Sequence, residues 1–202
     1  SFYNQTKAAG IKPTPSIGGV GLIKDYKKMV TMDFKEKDNL VLVIGKTEGH
    51  IDQSIFARTI LDEKNGPPPE VNLFNEKNNG ESLLNLIEKD YIKSAHDVSL
   101  GGIITAISKM SIKGNKGIKL NKSKNLMNEI DYLFAEDQGR YVIEVKKEDL
   151  KDVIKILDKN SVHHEELGFI TEKDIIINEK TKVTIDELKN YNSNWLTNYM
   201  SS

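Results

Sequence analysis

The run Leu40–Ile44, with the sequence LVLVI, restricts the fold of this chain more than any other feature. Consecutive branched apolar side chains leave a strand without a polar face, as expected for a strand that is buried on both sides. The segments that follow alternate between strand-like and helix-like patterns. We therefore predict an α+β fold, an α/β sandwich in which a mixed sheet carries helices on one face.

Apolar spacing predicts the remaining elements. Helices are expected within residues 52–64, 70–92, 101–112 and 147–160, the second of them continuous or broken near Gly80. Strands are expected within residues 29–34, 92–99, 140–145, 163–171 and 174–185. A short C-terminal helix is expected to carry Trp195 and Tyr199 back onto the body.

The N-terminal 35 residues differ from the rest of the chain. They contain a series of residues that fix or free the backbone, namely Pro13, Pro15, Gly18, Gly19 and Gly21. Such residues predict an extended, looping segment and not a helix. The segment therefore looks like the tail of a domain whose body lies elsewhere.

Charge and composition exclude several classes of function. The chain has 29 Lys and Arg residues against 30 Asp and Glu residues, without a basic cluster interleaved with aromatic residues, so no nucleic-acid partner is expected. No apolar run reaches the roughly 18 residues that a membrane span needs, so no membrane partner is expected. The absence of cysteine excludes disulfides and thiolate metal sites, and it is consistent with a cytoplasmic location.

The string SAHDVSLGG combines ionisable residues with two glycines in front of a predicted helix. Gly101 and Gly102 can bring backbone N–H groups close to an anion at the helix start. Asp97 is then a candidate Mg2+ ligand, since this ion prefers carboxylate oxygens, and His96 is a candidate base. The alternative is architectural, with Ser99 capping the helix, the glycines permitting close packing and His96 hydrogen-bonded locally.

A second polar string, FAEDQGRY, stands at the entrance to the strand predicted at residues 140–145. Glu136 and Gln138 are candidates to grip a hydroxylated or phosphorylated ligand, and Arg140 is a candidate to pair with phosphate. The alternative is a charged turn in which Arg140 neutralises Glu136. Spacing alone does not choose between these two interpretations.

Four strings occur in the order and spacing of one known family: SFYNQT…IKPTPSIGGVGLI, GHIDQSIFARTIL…GPPPEVNLFNEKNNGESLLNLI, SAHDVSLGG and LFAEDQGRYVIEV. Together they resemble the C-terminal part of the large subunit of phosphoribosylformylglycinamidine synthase (PurL), in the aminoimidazole ribonucleotide (AIR) synthetase-like superfamily. The resemblance runs from Ser1 to about Thr171, with a further match at NWL. Four ordered strings are far more specific than any one of them.

The resemblance implies a division into domains. The family's subunit looks like two tandem units, each with an ATP-binding half followed by a C-terminal α/β half. Residues 1–35 would be the tail of the second ATP-binding domain, and residues 36–178 the second AIR synthetase C-terminal-like (PurM-like) domain. Residues 179–202 would form a closing segment.

The resemblance also implies an activity. The family uses ATP and Mg2+ to phosphorylate the amide oxygen of formylglycinamide ribonucleotide, and ammonia from glutamine displaces that phosphate to give the amidine. The implied partners are this small-molecule ribonucleotide, a glutaminase subunit and a small PurS-type subunit. Ser1 matches a serine that contacts the ribonucleotide, whereas the catalytic histidine and most ATP ligands belong to an N-terminal part that is absent here. We therefore expect a C-terminal fragment without catalytic residues and inactive by itself.

Finally, the family's internal duplication relates HDVSLGG and EDQ to magnesium-binding and substrate-binding strings of its first half. The resemblance thus implies an auxiliary nucleotide–Mg2+ site, with Asp97 as the metal ligand, whose candidate residues are His96, Asp97, Ser99, Gly101, Gly102, Glu136, Gln138 and Arg140. Leu100 stands where the family usually has a second Asp, so weak or no nucleotide binding is expected. Two alternatives remain: a structural module that completes the tandem fold or a dimer, or a domain of a related synthetase.

Overall fold

The structure is a computed structural model that describes residues 5–6, 9–10, 15–121 and 127–201. Ser1, the predicted substrate contact, lies outside the described residues, and so does Pro13. Residues 15–24 contain neither helix nor strand, in agreement with the looping segment that their glycines predict.

The described residues contain two groups of strands and a set of helices. Two short strands, β1 (Gln5–Thr6) and β2 (Ala9–Gly10), pair with each other. The longer strands are β3 (Leu40–Ile44), β4 (Ile92–Val98), β5 (Gly117–Leu120), β6 (Arg140–Val145), β7 (His164–Thr171), β8 (Asp174–Ile177) and β9 (Thr181–Thr184). The α-helices are α1 (Ile55–Thr59), α2 (Leu73–Glu88), α3 (Gly102–Gly114), α4 (Glu129–Phe134), α5 (Leu150–Lys159) and α6 (Ile185–Ser201). None of these described helices is both long and apolar enough to cross a bilayer.

The longer strands form one mixed sheet. Their order is β4-β6-β3-β7-β5-β8-β9, and neighbours run antiparallel except β5 and β8, which run parallel. β3 lies between β6 and β7, with Leu42 paired to Ile143 on one side and to Glu166 on the other. The predicted mixed sheet and α+β class are confirmed.

Helices cover both faces of this sheet, so the prediction of helices on one face was wrong. Val41 and Val43 pack into a core cluster with residues of α3 and α4. Leu42 and Ile44 pack into a second cluster with residues of α2 and α5. Alternate side chains of a strand point to opposite faces, so a run without a polar side chain needs cover on both.

Two further predictions differ from the structure. Residues 29–34 do not form a strand, because Thr31 makes only a single bridge to Ser94. The second half of α6 is exposed, and Trp195 and Tyr199 are 65% and 66% exposed with their rings stacked 5.6 Å apart. These two rings therefore pack on each other and remain largely exposed.

Side-chain oxygens define where three of the helices begin. Ser54, Asn72 and Asn128 each accept an N–H of the first turn, at the starts of α1, α2 and α4. These residue types are preferred because a helix start leaves N–H groups without partners in the helix. α3 differs, since its N-cap residue is Gly101 and no side chain from that position caps it. The start of α3 must therefore find its acceptor elsewhere in the chain.

Candidate functional site

The two polar strings lie side by side at one edge of the sheet. The edge strand β4 pairs antiparallel with β6, which places Val98 opposite Arg140 and Asp97 opposite Tyr141. In an antiparallel pair, the end of one strand adjoins the start of the other. The loop that follows β4 and the loop that precedes β6 therefore share one neighbourhood.

Glu136 links these loops through a single carboxylate oxygen. Its Oε1 accepts the N–H of Gly101, before α3, and the N–H of Ile55, the first residue of α1, both at 2.8 Å. The N–H of Glu136 donates to the carbonyl of His50 at 3.0 Å. A carboxylate is favourable at a helix start because the unpaired N–H groups there carry partial positive charge. One residue thus joins the start of α3, the start of α1 and the loop before α1.

The glycine pair forms a backbone turn and a close packing contact. Gly101 and Gly102 have φ values of +81° and +70°, a region that favours glycine. Gly102 donates its N–H to the carbonyl of Ser99 at 3.0 Å. A Cβ on Gly102 would lie 2.6 Å from the carbonyl oxygens of Leu133 and Ala135. The glycines therefore permit close packing as the architectural interpretation predicts, but Ser99 contributes its carbonyl and not a side-chain cap, which corrects that interpretation.

Asp137 has a structural role that sequence reasoning missed. Its carboxylate accepts three consecutive backbone N–H groups, from Glu48 at 2.9 Å, Gly49 at 3.1 Å and His50 at 3.2 Å. Successive N–H groups that converge in this way form a concave anion site. The glycine in the string KTEGH was the available signal, since such a turn needs a flexible residue, but nothing in the spacing named the partner.

Arg140 is turned into the protein, with 1% of its surface exposed. It donates to Thr47 Oγ1 at 3.0 Å and to the carbonyls of Ala135 and Asp137 at 2.7 and 3.1 Å. Its ion-pair contact is with Asp137 at 3.9 Å, so the predicted neutralisation of Glu136 is corrected. Burial lowers the pKa of Arg140, and the Asp137 charge partly offsets that effect. In this position the guanidinium braces the turn and does not face a ligand.

Asp97 and His96 do not form a preformed metal centre. The Asp97 side chain is 63% exposed, and His96 Nδ1 lies 2.6 Å from the Asp97 carbonyl oxygen and 3.1 Å from Oδ1. Across the residues that the structure describes, no three His, Asp or Glu side chains come together to hold a metal ion. The metal role of Asp97 stays a prediction.

Tyr141, opposite Asp97, leads to a pH-dependent prediction. Partial burial raises the pKa of its hydroxyl, and the carboxylates of Glu76 and Asp97 raise it further. The unfolded chain releases this proton near its ordinary pKa of about 10, before the folded protein does. The stability that Tyr141 contributes is therefore present below that pH and is lost as the pH rises through the higher folded-state pKa. We expect Tyr141→Phe to reduce the loss of unfolding free energy above about pH 10, measured by urea unfolding at several pH values.

A matched variant distinguishes this effect from the general alkaline loss of stability. Tyr191→Phe, which removes an exposed tyrosine of α6, is that matched variant. Equal effects of Tyr191→Phe and Tyr141→Phe would contradict the prediction.

A polar cleft of about 590 Å³ opens beside the same turn. Its walls include Lys46, His50, Asn75, Gln138 and His163. Among the predicted site residues that the structure describes, Gln138 is the one that lines this cleft, and its Nε2 donates to the Glu136 carbonyl at 3.4 Å. The volume suits a small molecule, but such sites are mostly apolar, so volume alone assigns no ligand.

The predicted site residues are neighbours, and several of their polar groups are already bonded within the chain. The N–H groups of Gly101 and Gly102 are bonded within the chain, and the Arg140 guanidinium is bonded to a hydroxyl and two carbonyls. As arranged here, these groups do not fit a bound nucleotide with Mg2+. The arrangement instead fixes two loops and two helix starts relative to the sheet.

Comparison with known proteins identifies relatives of this chain. A family model described as AIR synthase related protein, C-terminal domain, matches residues 36–178. Phosphoribosylformylglycinamidine synthase subunit PurL of Pelagibacter ubique (strain HTCC1062) is 69% identical over 202 residues, which is 100% of this chain and 28% of that relative. The chain therefore spans a little over a quarter of the length of that curated relative.

Solved structures of low sequence identity share the fold. Thermotoga maritima PurL complexed with FGAR superposes with a TM-score of 0.69 at 18% identity, over 80% of this chain and 29% of that one. The structure of PurLQS from the same organism gives a TM-score of 0.62 at 19% identity, over 80% of this chain and 28% of that one. At these identities the likeness establishes the architecture only.

Proposed function

The chain belongs to the AIR synthase related protein family, whose C-terminal domain it contains, and on that premise we propose that it is the C-terminal part of a phosphoribosylformylglycinamidine synthase large subunit. Such a subunit is an ATP-dependent ligase of purine biosynthesis that converts formylglycinamide ribonucleotide and ammonia into the amidine. The observation that carries the proposal is 69% identity to PurL of P. ubique over all 202 residues.

The activity belongs, in this proposal, to a longer polypeptide. The chain corresponds to 28% of the P. ubique relative, and we assign no catalytic residue to it. When bound, ATP supplies the phosphoryl group that turns the amide oxygen into a leaving group, and Mg2+ neutralises the developing charge. The residues of this chain hold the architecture, since Glu136, Asp137 and Arg140 fix the turn between α4 and β6.

Substrate and partner contacts are part of the same proposal. We assign a ribonucleotide contact to Ser1, which lies outside the described residues. A glutaminase subunit would supply the ammonia, and a small PurS-type subunit would complete the complex in the cytoplasm. The description of the T. maritima relatives as PurL with FGAR and as PurLQS supports this assignment.

The proposal is tested with the full-length polypeptide that contains this sequence. We expect it to form the amidine from formylglycinamide ribonucleotide, ATP, Mg2+ and ammonium, with one ADP released for each product molecule, as measured by mass spectrometry and a coupled ADP assay. Omission of the ribonucleotide should abolish ADP release. The 202-residue chain alone is the matched control and should produce no amidine. ATP consumption by the full-length polypeptide without amidine formation would rule the proposal out.

A further inference from the structure

We infer that the Glu136 carboxylate is a built-in anion that closes the start of α3 to phosphate and holds the starts of α1 and α3 together. The inference goes beyond the proposed reaction and rests on contacts within this chain. We call the Glu136 carboxylate and its bonds to the Gly101 and Ile55 N–H groups the latch. The latch stands where an open auxiliary nucleotide site was expected.

Glu136 Oε1 is shared by two helix starts. This one oxygen accepts both the Gly101 and the Ile55 N–H groups at 2.8 Å. α3 has 13 residues, and the partial positive charge at the start of such a helix favours an anion. Phosphate bound at a helix start receives the same kind of N–H donation that the carboxylate receives here. The side chain therefore fills the place that a ligand oxygen would need.

The polar groups around Glu136 are also hydrogen-bonded within the chain. Gly102 donates to the Ser99 carbonyl, and Asp137 holds three consecutive N–H groups of the loop before α1. Arg140 is buried against Thr47 and two carbonyls. A nucleotide would have to displace these bonds as well as Glu136.

The surface next to the latch carries an exposed apolar residue. Leu100 precedes Gly101 and is 58% exposed, so an apolar side chain stands beside the bonded Gly101 N–H. A leucine offers Mg2+ no oxygen ligand, and Mg2+ requires oxygen ligands to bind a phosphate beside it. The residue next to the bonded Gly101 N–H therefore adds no oxygen ligand for the Mg2+ of a nucleotide.

The shared oxygen couples the start of α1 to the start of α3. Because one oxygen serves both N–H groups, loss of that oxygen frees the starts of α1 and α3 together. The Glu136 N–H also holds the His50 carbonyl, so the loop before α1 stays tied to the same residue through its backbone. Loss of the carboxylate should therefore release the Ile55 and Gly101 amides together, although they lie 46 positions apart in the chain.

Amide hydrogen exchange of the 202-residue chain tests the latch. Glu136→Ala should raise the exchange rates of the Ile55 and Gly101 amides together, by about tenfold or more, since each loses a charge-assisted hydrogen bond. Millimolar formate or inorganic phosphate should restore protection of both amides in Glu136→Ala and leave the unmodified chain unchanged. Gln138→Ala is the matched control, because Gln138 is an exposed neighbour whose side chain contacts neither amide.

A milder variant keeps the test decisive if Glu136→Ala does not fold. Glu136→Gln retains an acceptor oxygen and loses the charge, so both amides should exchange faster by the same, smaller factor. The inference is overturned if the two amides respond independently, or if neither anion restores protection in a folded Glu136→Ala. Micromolar binding of ATP with Mg2+ to the unmodified chain, with added protection of the Gly101 amide, would also overturn it.

Discussion

Replacement of Glu144 by alanine is expected to lower the free energy of unfolding by about 4 kcal/mol. Glu144 lies in β6 and is fully buried. Its two oxygens accept hydrogen bonds at 2.7 to 3.0 Å from the backbone N–H groups of Lys35 and Glu36, the Asn39 side-chain amide and the Ser94 hydroxyl. Its carboxylate therefore ties the segment before β3 to the sheet, beside the buried Phe34.

The size of the effect follows from the donors that the substitution would leave behind. A buried donor without an acceptor costs about 1–3 kcal/mol, and entry of water into the space relieves part of the total. The two backbone donors, Lys35 and Glu36, belong to the tethered segment, so their amides should also exchange faster with solvent.

Urea unfolding of Glu144→Ala and of a matched glutamate variant measures the effect. Glu148 is exposed and lies 3.8 Å from Lys146, so Glu148→Ala should change the free energy of unfolding by at most about 0.5 kcal/mol. Glu144→Gln keeps one acceptor oxygen, so its loss of unfolding free energy should lie between those of Glu144→Ala and Glu148→Ala. A loss below about 1 kcal/mol for Glu144→Ala would show that the segment is held by other contacts.

Replacement of Gly102 by alanine is expected to lower the free energy of unfolding by about 3 kcal/mol. The added Cβ would lie 2.6 Å from the carbonyl oxygens of Leu133 and Ala135, which are backbone atoms at the end of α4. The φ value of +70° at Gly102 adds strain for any residue with a Cβ. α3 would have to move away from α4, and the bond from Gly101 to Glu136 would be disturbed with it.

Gly80 provides the opposite expectation for the same chemical change. It lies inside α2, and an added Cβ would meet only the Tyr141 hydroxyl, at 3.8 Å. Since alanine is the better helix former, Gly80→Ala should raise the free energy of unfolding by about 0.5–1 kcal/mol. Thermal or urea unfolding of both variants gives the comparison. Destabilisation by Gly80→Ala, or tolerance of Gly102→Ala, would contradict this account of the two sites.

Local patterns in the sequence predicted most of the elements because their causes are local. The LVLVI run became the strand β3, and the spacing within residues 70–92 became the unbroken helix α2 despite Gly80. The stretch 29–34 (MVTMDF) has the alternating pattern of a strand but forms none, because a strand needs a partner along its length and Thr31 alone makes a bridge. Side-chain periodicity indicates which secondary structure a segment can adopt. Whether a segment becomes a strand depends on a neighbouring strand that pairs with it.

The candidate site could be predicted only in part. The two polar strings were recognised as important, but their separation in sequence hid which atoms meet. Asp137 bonds with residues 87 to 89 positions away, and Glu144 bonds with residues 50 to 109 positions away. Adjacent acids in EDQ look alike in a sequence, yet Glu136 serves two helix starts and Asp137 serves one loop.

The sequence by itself determined the mixed α and β composition, the central buried strand and the four strings that carry the family resemblance. The tertiary structure decided that helices cover both sheet faces, that Arg140 points inward and that Glu136 supplies the anion at the start of α3. The physical reason is the range of the interactions. Backbone propensity and side-chain periodicity act over a few residues, whereas a buried carboxylate or guanidinium is satisfied only by groups that folding brings from distant positions.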